Sequence, residues 1–127
     1  MSERFDPHAR MVLATAEIWG PAGYVALRLA VDTGATYSML SWQAAVILGY
    51  DPATAPDRVQ LVTASAVEYA PQFRISKLRA LGQERRRFPI LCHTLPSSAR
   101  VDGLLGLDFF RDRRLVLDFR EGTVSLD

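Results

Sequence analysis

The sequence predicts an all-β, barrel-like domain with one or two short helices. Two observations carry this. Apolar residues recur at alternate positions in several short runs, the period of half-buried strands, and clusters of glycine and proline punctuate those runs at 20–23, 82 and 122. Only two short stretches read as helix, and there is no long internal repeat, so many short strands must share one core.

A chain of 127 residues is one domain, long enough to bury a core without staples. Hydrophobic residues make up 49% and charged residues 23%, the composition of an ordinary globular protein. A net charge of +1 gives no case for nucleic acid as a partner. The single cysteine, Cys92, excludes a disulfide within the chain and fits a reducing compartment. The first ten residues lack the apolar core of a secretory signal, and no apolar run approaches bilayer-spanning length. A cytoplasmic protein with no membrane partner is the expectation.

Residues 1–10 are polar, contain Pro7 and read as a flexible arm; residues 11–127 read as the domain. Residues 11 to 19 alternate, with Val12, Ala14, Ala16 and Ile18 on one side, and Gly20-Pro21-Ala22-Gly23 forms a turn into a second strand from Tyr24 to Val31. Tyr37 to Leu40 reads as a short buried strand. Ser41 caps a helix from Trp42 to Leu48, which Gly49 stops. After a loop with two prolines, Arg58 to Thr63 and Val67 to Arg79 form a hairpin with a tip of small residues, Ala64-Ser65-Ala66. Pro71 marks an edge or bend in it. Arg85 to Leu95 reads as a strand, Gly103 to Phe110 as an apolar loop running into a short helix, and Leu115 to Phe119 with Thr123 to Leu126 as a last hairpin around Glu121-Gly122.

The chemistry-bearing stretch is Leu29-Ala30-Val31-Asp32-Thr33-Gly34-Ala35-Thr36. Alternating Val25, Leu27, Leu29 and Val31 deliver a carboxylate to the tip of a rigid element. Gly34 permits a sharp turn or a close approach. Taken alone, Asp32 is also compatible with a turn aspartate that bonds its own backbone. Asp-Thr-Gly by itself is a weak pattern. Followed some seventy residues later by Gly103-Leu104-Leu105-Gly106-Leu107-Asp108, with a small-tipped hairpin between, it is far more specific.

Together these parts, in this order, resemble the retropepsin-like aspartic proteases, in particular the single-domain bacterial relatives of retroviral proteases. The resemblance covers residues 11 to 126. It implies a retropepsin-like barrel with one lobe per chain and an aspartic endopeptidase activity. The chain contains one Asp-Thr-Gly, so the resemblance implies a homodimer in which Asp32 of each copy meets the other on a two-fold axis. Two close carboxylates sharing one proton supply both a base for water and an acid for the substrate. Thr33 would bond across the axis, Gly34 and Ala35 would support the loop, and Gly103, Leu104, Leu105 and Gly106 would brace it from behind. The hairpin over residues 61 to 70, with Thr63, Ala64, Ser65 and Ala66 at its tip, would close as a flap over a peptide or protein substrate bound as an extended strand. Viral members often carry glycines at that tip, and this chain does not. The last strand, Thr123 to Asp127, resembles the terminal strand of the family's dimer interface. No cofactor or metal is implied. The alternative is a non-catalytic dimerisation or peptide-binding module on the same fold.

Other polar residues have plainer readings. Asp102 lacks a neighbouring hydroxyl residue and reads as a turn or helix-start carboxylate, and Asp108 as a cap or ion-pair partner. His8 and His93 stand alone, without ligand spacing. Cys92 reads as a buried small hydrophobe. Arg85-Arg86-Arg87 and Arg111, Arg113 and Arg114 read as solvated faces, and Trp19 and Trp42 as core or interface residues.

Overall fold

The structure, a computed structural model, describes residues 2–62, 64–95 and 100–127. In chain order the strands are β1 (Ser2–Arg4), β2 (Leu13–Gly20), β3 (Gly23–Val31), β4 (Met39–Leu40), β5 (Asp57–Val62), β6 (Val67–Ala80), β7 (Gln83–Cys92), β8 (Gly103–Leu105), β9 (Leu115–Asp118) and β10 (Thr123–Leu126). The helices are α1 (Trp42–Ile47) and α2 (Leu107–Phe110), with a 3-10 turn at Pro52–Thr54. Strands run in the order β2-β3-β8-β4-β7-β6, and a β2–β6 pairing closes the ring into a six-stranded barrel. β5 adds to the outer part of β6, and β1-β10-β9 form a separate three-stranded sheet. Among the described residues no helix is long and apolar enough to cross a membrane.

Alternation explains the barrel wall. On β2, Ala14, Ala16 and Ile18 are fully buried while Leu13, Thr15 and Glu17 are half-buried. β3 pairs with β2 in an unbroken register from Leu13↔Ala30 to Gly20↔Gly23 and sends Leu27 and Leu29 inward. Ile75, Leu78, Ile90, Leu105 and Phe109 complete the interior. Ser41 caps α1 as its sequence suggests, its side chain accepting from the Ala44 N–H, and Gly49 ends the helix at φ +91°. The β6–β7 turn uses Leu81 and Gly82, both at positive φ, as a two-residue hairpin requires.

Pro71 lies one residue beyond the last β6–β7 pair, Gln72↔Leu91. A missing N–H there removes no bond from that ladder. From this point outward β6 pairs only with β5, from Asp57↔Gln72 to Val62↔Val67, so the β5–β6 hairpin projects past the barrel. Thr63 lies outside the described residues.

Three expectations are corrected. Residues 2–4 do not run as a free arm: β1 pairs with β10, Phe5 is buried, and its ring meets Phe119 edge-on at 5.4 Å. Polar composition hid this because β1 presents only backbone and one carboxylate, with Glu3 accepting from the Thr15 N–H at 2.8 Å. Gly103–Leu105 is not a loop but a central barrel strand, parallel to β3 and antiparallel to β4. Three residues are too few to reveal a period, and both partners are distant in sequence. Arg85 is not simply solvated, since its guanidinium lies 4.9 Å from the Phe109 ring centre and donates to the Phe109 carbonyl at 3.1 Å. Trp19 is half-buried with Lys77 4.0 Å over its ring, and Trp42 is 40% exposed.

Two predictions follow from the packing. A Cβ at Gly103 would stand 2.1 Å from the Met39 carbonyl oxygen. Gly103→Ala should therefore lower unfolding free energy by about 3 kcal/mol or more in urea titration. Burial pushes the Cys92 thiol up to about 11. A disulfide reagent at pH 8 should leave it unmodified until denaturant is added, and stability should fall as pH rises from the ordinary thiol value through 11, because the unfolded thiol ionises first.

Candidate active site

Asp32 follows the last residue of β3. Its N–H donates to the Leu105 carbonyl at 2.9 Å, which extends the β3–β8 ladder by one bond and fixes the carboxylate at the ladder's end. The Gly34 N–H donates to Asp32 Oδ1 at 2.9 Å. A Cβ at Gly34 would approach that oxygen to 3.2 Å, so the small residue serves close approach and not a positive φ. The Ala35 N–H returns to the Asp32 carbonyl at 3.3 Å. Thr33, Gly34 and Thr36 are exposed, and Asp32 and Ala35 half-buried.

The loop is gripped from behind. The Leu107 N–H donates to the Ala35 carbonyl at 2.8 Å and the Asp108 N–H to that of Thr36 at 3.3 Å. A Cβ at Gly106 would stand 2.7 Å from the Ala35 oxygen and 2.8 Å from that of Tyr37. Ser38, fully buried, centres a polar knot: its hydroxyl donates to Asp108 Oδ1 at 2.6 Å and accepts from the Gly106 N–H at 3.0 Å, while its own N–H donates to the Asp108 carboxylate at 3.0 Å. Asp102 adds a second clasp, its carboxylate accepting from the Arg28 N–H at 3.0 Å and its carbonyl from the Ser41 N–H at 2.8 Å.

The structure thus brings Asp32, Gly34 and Ala35 together with Gly103, Leu104, Leu105 and Gly106. Leu104 pairs with Ala30 on one side and Met39 on the other. The hairpin tip, Ala64, Ser65 and Ala66, is exposed. The part of the hairpin facing the Asp32 loop is lower down. Gln60, Leu61, Val62 and Glu68 share a cavity of about 450 Å³ with Gly34 to Tyr37 and His93. A second cavity of about 540 Å³ opens directly at Asp32 and is mainly apolar, with Met11, Val31, Val101, Leu104 and Phe119 in its wall.

Sequence reasoning missed Ser38 and misassigned Asp102 and Asp108. Among the described residues Asp108 neither caps α2 nor pairs with a cation; it holds Ser38. Asp102, the residue before β8, bridges β3 and the Ser41 cap of α1. A signal for Ser38 was present, because it shares the inward parity of Leu40 on an apolar strand, and a buried hydroxyl there demands a partner. His93 is not alone either: its Nε2 lies 3.0 Å from Glu68 Oε2. Among the described residues no group of three His, Cys, Asp or Glu side chains is gathered as a metal site would require.

A closed six-stranded barrel with an Asp-Thr-Gly loop at a strand end, braced by a Gly-Leu-Leu-Gly strand, defines a single lobe of the acid-protease type. Residues 14–109 match the aspartyl protease family, and the chain belongs to it. Among solved structures, one described as a retropepsin-like aspartic protease from Rickettsia conorii superposes with a TM-score of 0.70 at 18% identity, covering 100% of this chain and 98% of that one. That likeness establishes the retropepsin-like fold. No curated protein matches.

The knot yields a prediction. Ser38→Ala strands the Gly106 N–H and removes the short hydroxyl bond to Asp108, whose carboxylate keeps the backbone N–H of residue 38, and Asp108→Ala strands the Ser38 hydroxyl and N–H. Each should cost about 1–3 kcal/mol in denaturant titration. The double variant should cost clearly less than the sum, since both remove the same interaction.

Proposed function

We propose that the chain is an aspartic endopeptidase acting as a homodimer, with Asp32 of each copy forming the catalytic pair. The observation that carries this is the Asp32 carboxylate itself, held at the end of the β3–β8 ladder and oriented by the Gly34 N–H at the mouth of an apolar cavity. Family membership supports the peptidase reading. The lone Asp-Thr-Gly supports the dimer, because one lobe carries half of the acid–base pair.

In this reading the two aspartates share one proton. Like charges so close resist ionising together, so one carboxyl stays protonated while the other accepts. The ionised group takes a proton from water, whose oxygen attacks the peptide carbonyl carbon. The protonated group donates to the carbonyl oxygen, giving a tetrahedral diol. Collapse of that diol passes a proton to the leaving nitrogen as the C–N bond breaks. The apparent pKa values belong to the pair. In this reading Thr33, which is exposed on the single lobe, bonds across the axis. The β5–β6 hairpin acts as the flap: it projects beyond the barrel, and Val62, Val67 and Tyr69 leave apolar surface on it without cover in the lobe.

β10 has β1 on one edge and β9 on the other. The dimer therefore forms through the Asp32 loops, the hairpins and the outer edges of that sheet, not by adding a strand to β10.

Asp32→Asn should leave circular dichroism and sedimentation unchanged and lower peptide cleavage by about a thousandfold or more. Undiminished cleavage by this variant would rule the mechanism out. Activity should be greatest at mildly acidic pH and decline once the shared proton is lost, and a rate rising steadily into alkaline solution would contradict the shared-proton pair.

A further inference from the structure

We propose that Glu68 makes the cavity beneath the β5–β6 hairpin a pocket for a basic side chain, lysine or arginine, of the bound peptide. The proposal rests on the peptidase reading for its substrate, and extends it from a reaction to a substrate class.

The cavity of about 450 Å³ lies between the Asp32 loop and the hairpin. It reaches Gly34, whose N–H holds Asp32, but does not include Asp32. An extended peptide advances about 3.3 Å per residue and turns successive side chains to opposite faces. The mainly apolar cavity that includes Asp32 serves a residue at the cleaved bond. The cavity under the hairpin serves a residue farther along.

The hydrogen-bonding inventory decides the chemistry. His93 Nδ1 lies 2.9 Å from the Thr94 carbonyl oxygen, which only accepts, so Nδ1 carries the hydrogen. Its Nε2 lies 3.0 Å from Glu68 Oε2. Both ring nitrogens are therefore committed, and the imidazole offers nothing further to a ligand. A carboxylate has about four acceptor sites, and one contact leaves it with acceptor capacity. Whichever atom carries the proton between them, the surplus is for hydrogen-bond donors. Among the described residues Glu68 is the one carboxylate in the lining of this cavity, and its side chain is 48% exposed. Thr36, Tyr37 and Gln60 add polar atoms around it, while Met39 and Val62 offer apolar surface to an aliphatic stem. A long side chain ending in N–H donors fits this arrangement better than an acidic or purely apolar one.

His93 has a positioning role: it comes from the end of β7 and holds a carboxylate carried by the projecting hairpin. Its contact with Glu68 spans the cleft wall and the flap strand.

The test is cleavage profiling of a peptide library by the full chain, read by mass spectrometry, with parent, Glu68→Gln, Glu68→Lys, His93→Gln and Asp32→Asn. The parent should enrich lysine and arginine within two residues of the cleaved bond, by about two- to fivefold in kcat/KM over norleucine, the scale of a partly exposed polar or charged contact. Glu68→Gln should erase that ratio, so that lysine, arginine and norleucine peptides are cleaved by this variant with equal kcat/KM. Glu68→Lys should invert it towards aspartate and glutamate. His93→Gln, which keeps a donor towards Glu68, should retain the preference. A purely structural tie would instead lower all substrates together. Asp32-dependent cleavage with no basic preference, or with one that Glu68→Gln leaves intact, overturns the pocket and spares the peptidase reading. Absence of Asp32-dependent cleavage overturns the peptidase reading. The pocket is then decided by fluorescence anisotropy of lysine and norleucine peptides on the Asp32→Asn chain: equal binding rejects it, and tighter lysine binding that Glu68→Gln abolishes upholds it.

Discussion

The position of Asp32 depends on one constraint: a strand must pass between β3 and β4 with backbone against backbone on both sides. Gly103 leaves no room for a side chain beside the Met39 carbonyl, and Gly106 leaves none between the Ala35 and Tyr37 carbonyls. Because β8 comes this close, it bonds to β3 in parallel and to β4 in antiparallel register, and its last carbonyl receives the Asp32 N–H. The buried Ser38–Asp108 contact closes the arrangement by joining the far end of the loop to the helix after β8. Charge-assisted bonds of this kind are short and strong where they are shielded from water. The loop around Asp32 therefore gains its rigidity from backbone bonds and one polar knot, and needs no apolar side chains of its own.

That economy explains how a loop can be both exposed and fixed. Thr33, Gly34 and Thr36 are open to solvent, yet the chain on either side is locked into the barrel. An exposed turn usually ranks among the least stable parts of a fold. Here its termini inherit the stability of the central ladder, which suits a carboxylate that must hold its direction. The proposed dimer uses the same property: a loop already rigid loses little further entropy when a second copy meets it.

Much of this was legible in the sequence, and the gaps have physical causes. The hairpins β2–β3, β5–β6 and β9–β10, the Ser41 cap and the Gly49 stop follow local rules, in which partners are close in sequence and period or turn chemistry speaks for itself. The Asp32 loop and the Gly103–Gly106 segment were legible as a pair of motifs. What escaped was non-local. β1 finds its partner more than a hundred residues away and carries no apolar pattern. β8 is three residues long between two distant strands. Ser38, Asp102 and Asp108 take their meaning from groups some seventy residues off, and the Glu68–His93 contact lies beyond the last pair of the β6–β7 hairpin, twenty-five residues apart, where no local pattern marks it. Spacing along a chain cannot express a meeting that barrel closure makes.

The barrel and its hairpin divide the labour by how many neighbours each strand has. Up to Gln72↔Leu91, β6 is bonded within the ring; beyond it, only β5 remains. Pro71 sits at this boundary, where a strand with one partner can bend without breaking a ladder. A two-stranded ribbon in water is marginally stable by itself, so its outer half must be held by side chains or by a ligand. Glu68 and His93 supply such a hold from the barrel side. A peptide lying between the hairpin and the Asp32 loop would supply the rest, adding backbone bonds to a ribbon that has edges to spare. On this account binding and ordering are the same event, and the proposed flap is a part of the lobe that the barrel alone does not complete.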